Sequence, residues 1–131
     1  MHDNTDLLDG FIEEGYRRVF TDGSVKDPDD FRLAVGTWAV IYGVNNPQNT
    51  VGVLPGELRI SYLAELYALL VAMQQASVPT WITLDNEAVV NHAYKILHLI
   101  AQVDEPQVGK SLWSEVHLQV QKRPPGFFRV T

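Results

Sequence analysis

The N-terminal half of the chain alternates short apolar runs with turn-rich segments, a pattern typical of β-strands. The run YRRVF at 16–20 predicts a first strand that ends near Asp22, because an Asp-Gly pair follows it. The apolar, β-branched stretch at 33–42 predicts a second strand, and 50–54 predicts a third strand beyond a turn rich in Asn and Pro. Three successive strands joined by short links favour an antiparallel meander.

The rest of the chain predicts helices that alternate with single strands. Residues 61–76 are rich in Leu and Ala, lack Gly and Pro, and are apolar around most of the helix circumference, as expected for a helix buried against a sheet. Residues 80–84 predict a strand that runs parallel to a neighbour, because it follows a long helix. The remaining predicted elements are helices at 87–100 and 110–122 and a last strand at 127–131.

This order of elements predicts an α/β fold with a mixed five-stranded sheet, in which three antiparallel strands are followed by parallel strands, with helices packed on the sheet. The length of 131 residues suits one domain, which we expect to span residues 16–131. Residues 1–15 contain five acidic side chains, no Lys or Arg, and no sustained periodicity. They predict an acidic, flexible lead-in to the domain.

Composition narrows the class of protein. Hydrophobic residues make up 46% of the chain and charged residues 20%, which is typical of a globular domain. The absence of Cys excludes disulfides, a thiol nucleophile and thiolate metal sites. No apolar run approaches the length of a membrane span and no signal peptide is evident, so we expect an intracellular protein, cytoplasmic or nuclear, with no membrane partner. The net charge of −6 does not exclude a phosphate-rich partner, since the lead-in supplies most of it.

Three carboxylates stand out by their positions. Asp22 ends the first predicted strand, Asp85 ends the fourth, and Glu65 is the only charged side chain within 61–76. If the first and fourth strands are parallel neighbours, both aspartates reach the same end of the sheet, and Glu65 can point at the gap between them. Clustered carboxylates repel one another unless a cation lies among them, so the arrangement predicts a site for Mg²⁺. Two such ions about 3.5–4 Å apart can promote phosphodiester hydrolysis.

Each of these residues, taken alone, also has a structural explanation. Asp22 before Gly23 suits a turn, and Asp85 or Asn86 suits a helix N-cap. Glu65 could lie at the helix edge in water. The ordered combination of strand Asp, helix Glu and strand Asp favours a shared site over three separate structural roles.

The sequence around these acids resembles the type 1 ribonuclease H family, which includes the ribonuclease H domains of retroelement reverse transcriptases. The motifs that carry the resemblance are FTDGS at 20–24, AELYAL at 64–69 and TLDN at 83–86. The resemblance extends from about Arg18 to Thr131. It implies the ribonuclease H-like form of the mixed five-stranded α/β fold.

The resemblance also implies an activity. Members of this family are endonucleases that hydrolyse the RNA strand of an RNA·DNA hybrid with two Mg²⁺ or Mn²⁺ ions. Asp22, Glu65 and Asp85 match the metal-binding, catalytic acids of the family one by one. The implied partners are an RNA·DNA hybrid and an upstream reverse transcriptase domain in a longer polypeptide.

The family contacts its hybrid through residues that flank these acids, and small polar groups can read 2′-hydroxyls across the wide minor groove. The corresponding residues here are Gly23, Ser24, Ser61, Tyr62, Asn86 and Glu87. Ser61, Tyr62 and Glu87 stand where the bacterial enzymes commonly have Asn and Gln side chains.

The chain departs from the family pattern at its C-terminus, because it ends before the family's loop His and before a last helix that carries a fourth acid. We therefore expect an incomplete domain that lacks its last helix and is weakly active or inactive. The alternative function is a non-catalytic ribonuclease H-fold domain that binds nucleic acid or protein. A further alternative is an unrelated α/β interaction domain in which the three acids have separate structural roles.

Overall fold

A computed structural model describes residues 11–26, 35–54, 61–98, 106 and 108–131. Four strands come first along these residues, followed by three helices and two further strands in the order α-β-α-α-β. The elements are β1 (Phe11–Glu13), β2 (Tyr16–Lys26), β3 (Val35–Ile41), β4 (Thr50–Val53), α1 (Ser61–Gln75), β5 (Thr80–Thr83), α2 (Glu87–Leu97), α3 (Lys110–Gln121) and β6 (Phe128–Val130). Apart from β1 and the end of β2, each lies within three residues of the predicted ends.

The strands form one mixed sheet in the order β4-β3-β2-β5-β6. β3 is antiparallel to both of its neighbours, β2 and β4, as the meander pattern predicted. β5 runs parallel to β2, and β6 runs parallel to β5. The predicted change from antiparallel to parallel pairing is therefore confirmed, and it occurs at β2, the central strand.

The sheet has six strands in the described residues rather than the predicted five. The additional strand is β1, which lies in the predicted flexible lead-in 1–15 and pairs antiparallel with the start of β2. Glu14 and Gly15 join the two strands with positive φ angles of 53° and 83°, the conformation of a hairpin turn that fits the twist of the strands. Backbone pairing makes this segment a strand although its side chains show no strand pattern. Residues 1–10 of the predicted lead-in lie outside the described residues.

The predicted end of the first strand near Asp22 is wrong, because β2 continues to Lys26. Asp22 pairs with Ala39 within the β2–β3 ladder. Gly23 serves the close approach of α1 rather than a turn, since a Cβ atom at this position would lie 2.5 Å from the carbonyl carbon of Ala64 and 2.6 Å from the backbone nitrogen of Glu65. The Asp-Gly pair therefore marks a contact between a strand and a helix backbone.

The hydrophobic core lies between the sheet and the helices. α1 crosses β2 and β3, α3 packs on α1, and α2 packs along β6. Along β2 the side chains alternate, so that Val19 is fully buried while Phe20 is 45% exposed on the opposite face. Other fully buried core side chains are Leu66, Leu69, Met73, Ile82 and Trp113. Each contributes on the order of 2 kcal/mol to stability, so this single core fixes the position of every element.

The opposite face of the sheet carries arginines stacked on an aromatic ring. The guanidinium of Arg18 lies 3.8 Å from the centroid of the Trp81 ring, and that of Arg129 lies 4.5 Å from it. Glu13 and Glu14 of the hairpin form ion pairs with Arg18 and Arg129, respectively. Charged side chains thus shield apolar ring surface on this face.

The packing at Gly23 generates a stability prediction. We expect Gly23→Ala to reduce the free energy of unfolding by at least about 2 kcal/mol, because the added methyl group meets backbone atoms of α1 that cannot move independently of the helix. Urea denaturation measures the effect.

Gly15→Ala is the matched control, since a Cβ atom there meets nothing within 4 Å and only the positive φ is strained. We expect the free energy of unfolding of this variant to fall by about 1 kcal/mol. If both variants lost the same free energy of unfolding, Gly23 would be needed for its own backbone conformation and not for the close approach of α1 to β2.

Candidate functional site

The parallel pairing of β2 with β5 brings two of the predicted acids to the same end of the sheet. The paired positions run from Arg17 opposite Thr80 to Phe20 opposite Thr83. Asp22 and Asp85 each lie two residues beyond the last of these pairs, and both are exposed. The topology therefore places both aspartates at the same end of the β2–β5 ladder.

Glu65 approaches this end of the sheet from α1. Its side chain is only 5% exposed, and Oε1 accepts a hydrogen bond of 3.1 Å from the backbone N–H of Gly23. Oε2 is buried and accepts no hydrogen bond in the described part of the chain. A buried acceptor without a partner costs about 1–3 kcal/mol. The carboxylate is therefore held by one oxygen while the other is unsatisfied.

Electrostatics connects the three acids. Burial raises the pKa of Glu65 above its ordinary value of 4.5, and the hydrogen bond from Gly23 opposes this shift. The negative charges of Asp22 and Asp85 raise the same pKa further. Glu65 thus lies in the electrostatic field of both aspartates.

Chemistry and geometry give different answers on metal binding. Carboxylate oxygens are the ligands that Mg²⁺ and Mn²⁺ prefer. A bound cation would give the buried Oε2 of Glu65 an interaction partner. Across the described ranges, however, no group of three His, Cys, Asp or Glu side chains is arranged to hold a metal ion. The site has suitable donor atoms, but they do not converge on one point.

Four of the predicted nucleic-acid contacts differ in whether their polar groups are free to contact a ligand. Ser61 and Glu87 are exposed first residues of α1 and α2. The N–H of Gly23 donates to Glu65. The side chain of Ser24 lies outside the described residues. Among the described side chains of this set, Ser61 and Glu87 are the exposed ones.

The other two predicted contacts have structural partners. Asn86 caps α2, because its side-chain oxygen accepts a hydrogen bond of 3.1 Å from the N–H of Val89. The hydroxyl of Tyr62 accepts a hydrogen bond of 2.8 Å from the indole N–H of Trp113. Both side chains are half-buried, so their first roles are in local structure.

The hydrogen bond to Tyr62 reveals a support that the sequence pattern did not show. Trp113 on α3 is fully buried and packs edge-on against His92 of α2, with 4.4 Å between the ring centroids. Gly109, just before α3, allows close packing, since a Cβ atom there would lie 2.7 Å from the side chain of Leu66. α3 thereby braces the first turn of the helix that carries Glu65. The only sequence signal for this support is a Trp on an otherwise amphipathic helix.

None of the helices in the described ranges is long and apolar enough to cross a membrane.

Comparison with known proteins gives structural relatives but no sequence relatives. No protein-family model and no curated protein matches the chain. The solution structure of the PFV RNase H domain matches with a TM-score of 0.65 and 19% sequence identity, over 87% of this chain and 76% of that one. A foamy viral protease-reverse transcriptase in complex with dsDNA matches with a TM-score of 0.64 and 17% identity, over 90% of this chain and 81% of that one.

At these identities, the likeness establishes the fold. The chain has a ribonuclease H-like α/β fold of the kind found in these foamy viral proteins. The predicted fold class is therefore confirmed. The metal and nucleic-acid roles of individual residues remain predictions.

The contact between Tyr62 and Trp113 generates a prediction about its role. We expect Tyr62→Phe and Trp113→Phe each to lower stability, and the double variant to lose less than the sum because both single changes break the same hydrogen bond. The expected coupling energy is on the order of 1 kcal/mol, measured by a double-mutant cycle in urea. Strictly additive losses would show that the bond does not contribute to stability.

The raised pKa of Glu65 generates a pH prediction. The folded state binds this proton more tightly than the unfolded chain, so the stability from protonated Glu65 is present below pH 4.5 and is lost as the pH rises through the raised value. Glu65→Gln imitates the protonated form. Without divalent cations near pH 7, we expect this variant to unfold at a higher urea concentration than the parent chain, and the difference to shrink toward pH 4.5.

Glu115→Gln provides the control, since it removes the negative charge of an exposed acid on α3 rather than one near Asp22 and Asp85. We expect no comparable gain from it. A Glu65→Gln variant that is less stable than the parent chain near pH 7 would contradict the raised pKa.

Proposed function

We propose that this chain is a ribonuclease H-like endonuclease that hydrolyses the RNA strand of RNA·DNA hybrids with the help of two Mg²⁺ or Mn²⁺ ions. The single observation that carries the proposal is the buried Glu65, whose Oε2 has no hydrogen-bond partner among the described residues. Its pKa is raised mainly by burial and further by the charges of Asp22 and Asp85 at the end of the parallel strands. This arrangement occurs in a ribonuclease H-like fold, which supports a nuclease over an unrelated interaction domain. Structural likeness to proteins described as an RNase H domain and a reverse transcriptase adds weight.

Asp22, Glu65 and Asp85 would hold the ions in this proposal. Bound divalent ions would supply positive charge that activates water and stabilises the leaving oxygen of the phosphodiester. The exposed aspartates are able to change rotamer, whereas Glu65 is anchored through Oε1 by the N–H of Gly23. Glu65 therefore serves as the fixed ligand, and we propose that the two aspartates turn toward it when the charge of a cation is present.

The described residues also suggest how the hybrid would be positioned. The N-termini of α1 and α2 carry partial positive charge from the helix dipole, which favours a phosphate nearby. Ser61 and Glu87 are exposed at these two ends, and Ser61 can hydrogen-bond to a phosphate or a 2′-hydroxyl. We propose that the hybrid lies across these helix ends. A reverse transcriptase domain within the same polypeptide is its proposed source.

The alternative function is a non-catalytic ribonuclease H-fold domain that binds nucleic acid or protein. The observation that favours it is the absence, within the described part of the chain, of three acidic or His side chains arranged for a metal. The two proposals separate on whether divalent ions bind to the three acids.

Cleavage of a labelled RNA·DNA hybrid tests the proposed activity. With Mg²⁺ or Mn²⁺ present, we expect RNA fragments from the hybrid and none from double-stranded DNA or single-stranded RNA of the same sequence. We expect Asp22→Asn and Asp85→Asn to reduce the rate at least about tenfold, because each removes an anionic ligand. Glu115→Gln is the matched control, since it removes an exposed acid on α3 that has no part in the proposed site, and its rate should stay within about twofold of the parent chain.

Calorimetric titration with Mg²⁺ separates the two functions. Binding that is lost in Asp85→Asn but kept in Glu115→Gln supports the metal site even if turnover is slow. Hybrid binding without metal binding or cleavage would favour the non-catalytic domain instead.

A further inference from the structure

The outer edge of β6 is an open strand edge in the described sheet, where β6 is the last strand beyond β5. Its inner edge pairs with β5: the carbonyl of Phe127 accepts from the N–H of Thr80, and the N–H of Thr131 donates to the carbonyl of Ile82. The backbone groups of successive residues alternate between the two sides of a strand. Phe128 and Val130 therefore direct their N–H and C=O groups outward, where another strand could pair with them.

A groove of about 720 Å³ follows this edge. One side is formed by Tyr94 and Leu97 in the C-terminal half of α2, and Tyr94 is 53% exposed. Tyr16 lies on the other side, with its hydroxyl donating a 2.8 Å hydrogen bond to the carbonyl of Gly126. Residues 123–127 close one end of the groove. An extended chain in the groove would thus have backbone partners at its floor and aromatic surface on both sides.

The charge of the groove is opposite to that of the whole chain. Its lining includes Arg123, Arg129 and His98 and contains no Asp or Glu, although the chain has a net charge of −6. Arg123 is fixed in place, because it donates to the backbone carbonyl of Ala76 and stacks on Phe127 at 5.3 Å. The groove is therefore a cationic, apolar surface beside backbone groups of β6 that pair with no strand of the described sheet.

We propose that this groove binds an extended acidic segment of a partner polypeptide, which adds to the sheet as a strand beside β6. The backbone of the segment pairs with Phe128 and Val130. Its apolar side chains pack on Tyr94, and its acidic side chains face His98 and Arg129. The proposal uses none of the three candidate metal ligands and stands independently of the proposed nuclease function.

Charge argues against a second copy of this chain as the occupant. Pairing two β6 edges around a two-fold axis would bring the cationic lining of one groove against the same lining in the other copy. Like charges opposed across an interface are unfavourable. An acidic partner segment would instead place negative charges opposite the cationic lining.

Fluorescence anisotropy with labelled synthetic peptides tests the proposal on the full chain. The probe is the peptide DVEVDIE, which alternates acidic and apolar residues. Two control peptides separate its features: KVKVKIK keeps the apolar positions but reverses the charge, and a DVEVDIE peptide with N-methylated backbone amides cannot pair as a strand. We expect only the unmodified acidic peptide to bind, with NMR shifts at the amides of Phe128 and Val130.

Side-chain variants test the two contacts of the groove. We expect Tyr94→Ala and Arg129→Gln each to weaken binding of DVEVDIE at least about fivefold. Glu14→Gln should strengthen binding, because it releases Arg129 from its ion pair. Lys95→Gln is the matched control, as an exposed cation beside Tyr94 that is not part of the groove lining, and we expect it to change binding by less than about twofold.

Three outcomes would overturn the proposal. Equal binding of KVKVKIK would remove the role of the cationic lining. Displacement of DVEVDIE by an equimolar RNA·DNA hybrid would mark a phosphate site in place of a peptide site. Self-association of the chain that is abolished by Tyr94→Ala would identify a second copy as the occupant.

Discussion

The close contact between α1 and the centre of β2 is the constraint on which the rest of the structure depends. Two backbones meet at Gly23, where no side chain larger than hydrogen fits against Ala64. The contact sets the depth of Glu65, so that its carboxylate reaches the N–H of Gly23 instead of solvent. One missing methyl group therefore determines both how the helix lies on the sheet and where the buried acid of the candidate site is held.

That depth determines the electrostatics of the site. Glu65 is buried with one hydrogen bond, whereas Asp22 and Asp85 are exposed. Burial disfavours the charged form of Glu65 and raises its pKa. A cation would relieve both the unsatisfied Oε2 and the repulsion from the aspartates. Burial makes the ionised carboxylate of Glu65 destabilising when no cation is present. Together with the hydrogen bond from Gly23, burial would also hold this carboxylate in place as a ligand of a bound cation.

The two sides of the sheet use different chemistry to cover apolar surface. The helices cover one face with aliphatic side chains around Leu66 and Leu69. On the other face, Arg18 and Arg129 lie over the ring of Trp81, and the acids of the β1–β2 hairpin neutralise them. These ion pairs give the acidic segment before β2 a structural role, since they hold the β1–β2 hairpin against this face of the sheet. Its carboxylates are partners for cations that would otherwise be uncompensated on a half-buried surface.

Local pattern was enough to determine the order of the main elements, the antiparallel start of the sheet and the parallel strand after α1, because apolar periodicity and helix propensity act over short stretches of chain. It also singled out Asp22, Glu65 and Asp85, because their ordered combination favoured a shared site although each acid alone also has a structural explanation. The hairpin strand Phe11–Glu13 and the continuation of β2 through Asp22 depend on pairing with distant backbone, so only the tertiary structure decided them. The same holds for the role of Gly23 and for the engagement of Tyr62 by Trp113, since atoms far apart in sequence determine which polar groups remain available once the core has closed.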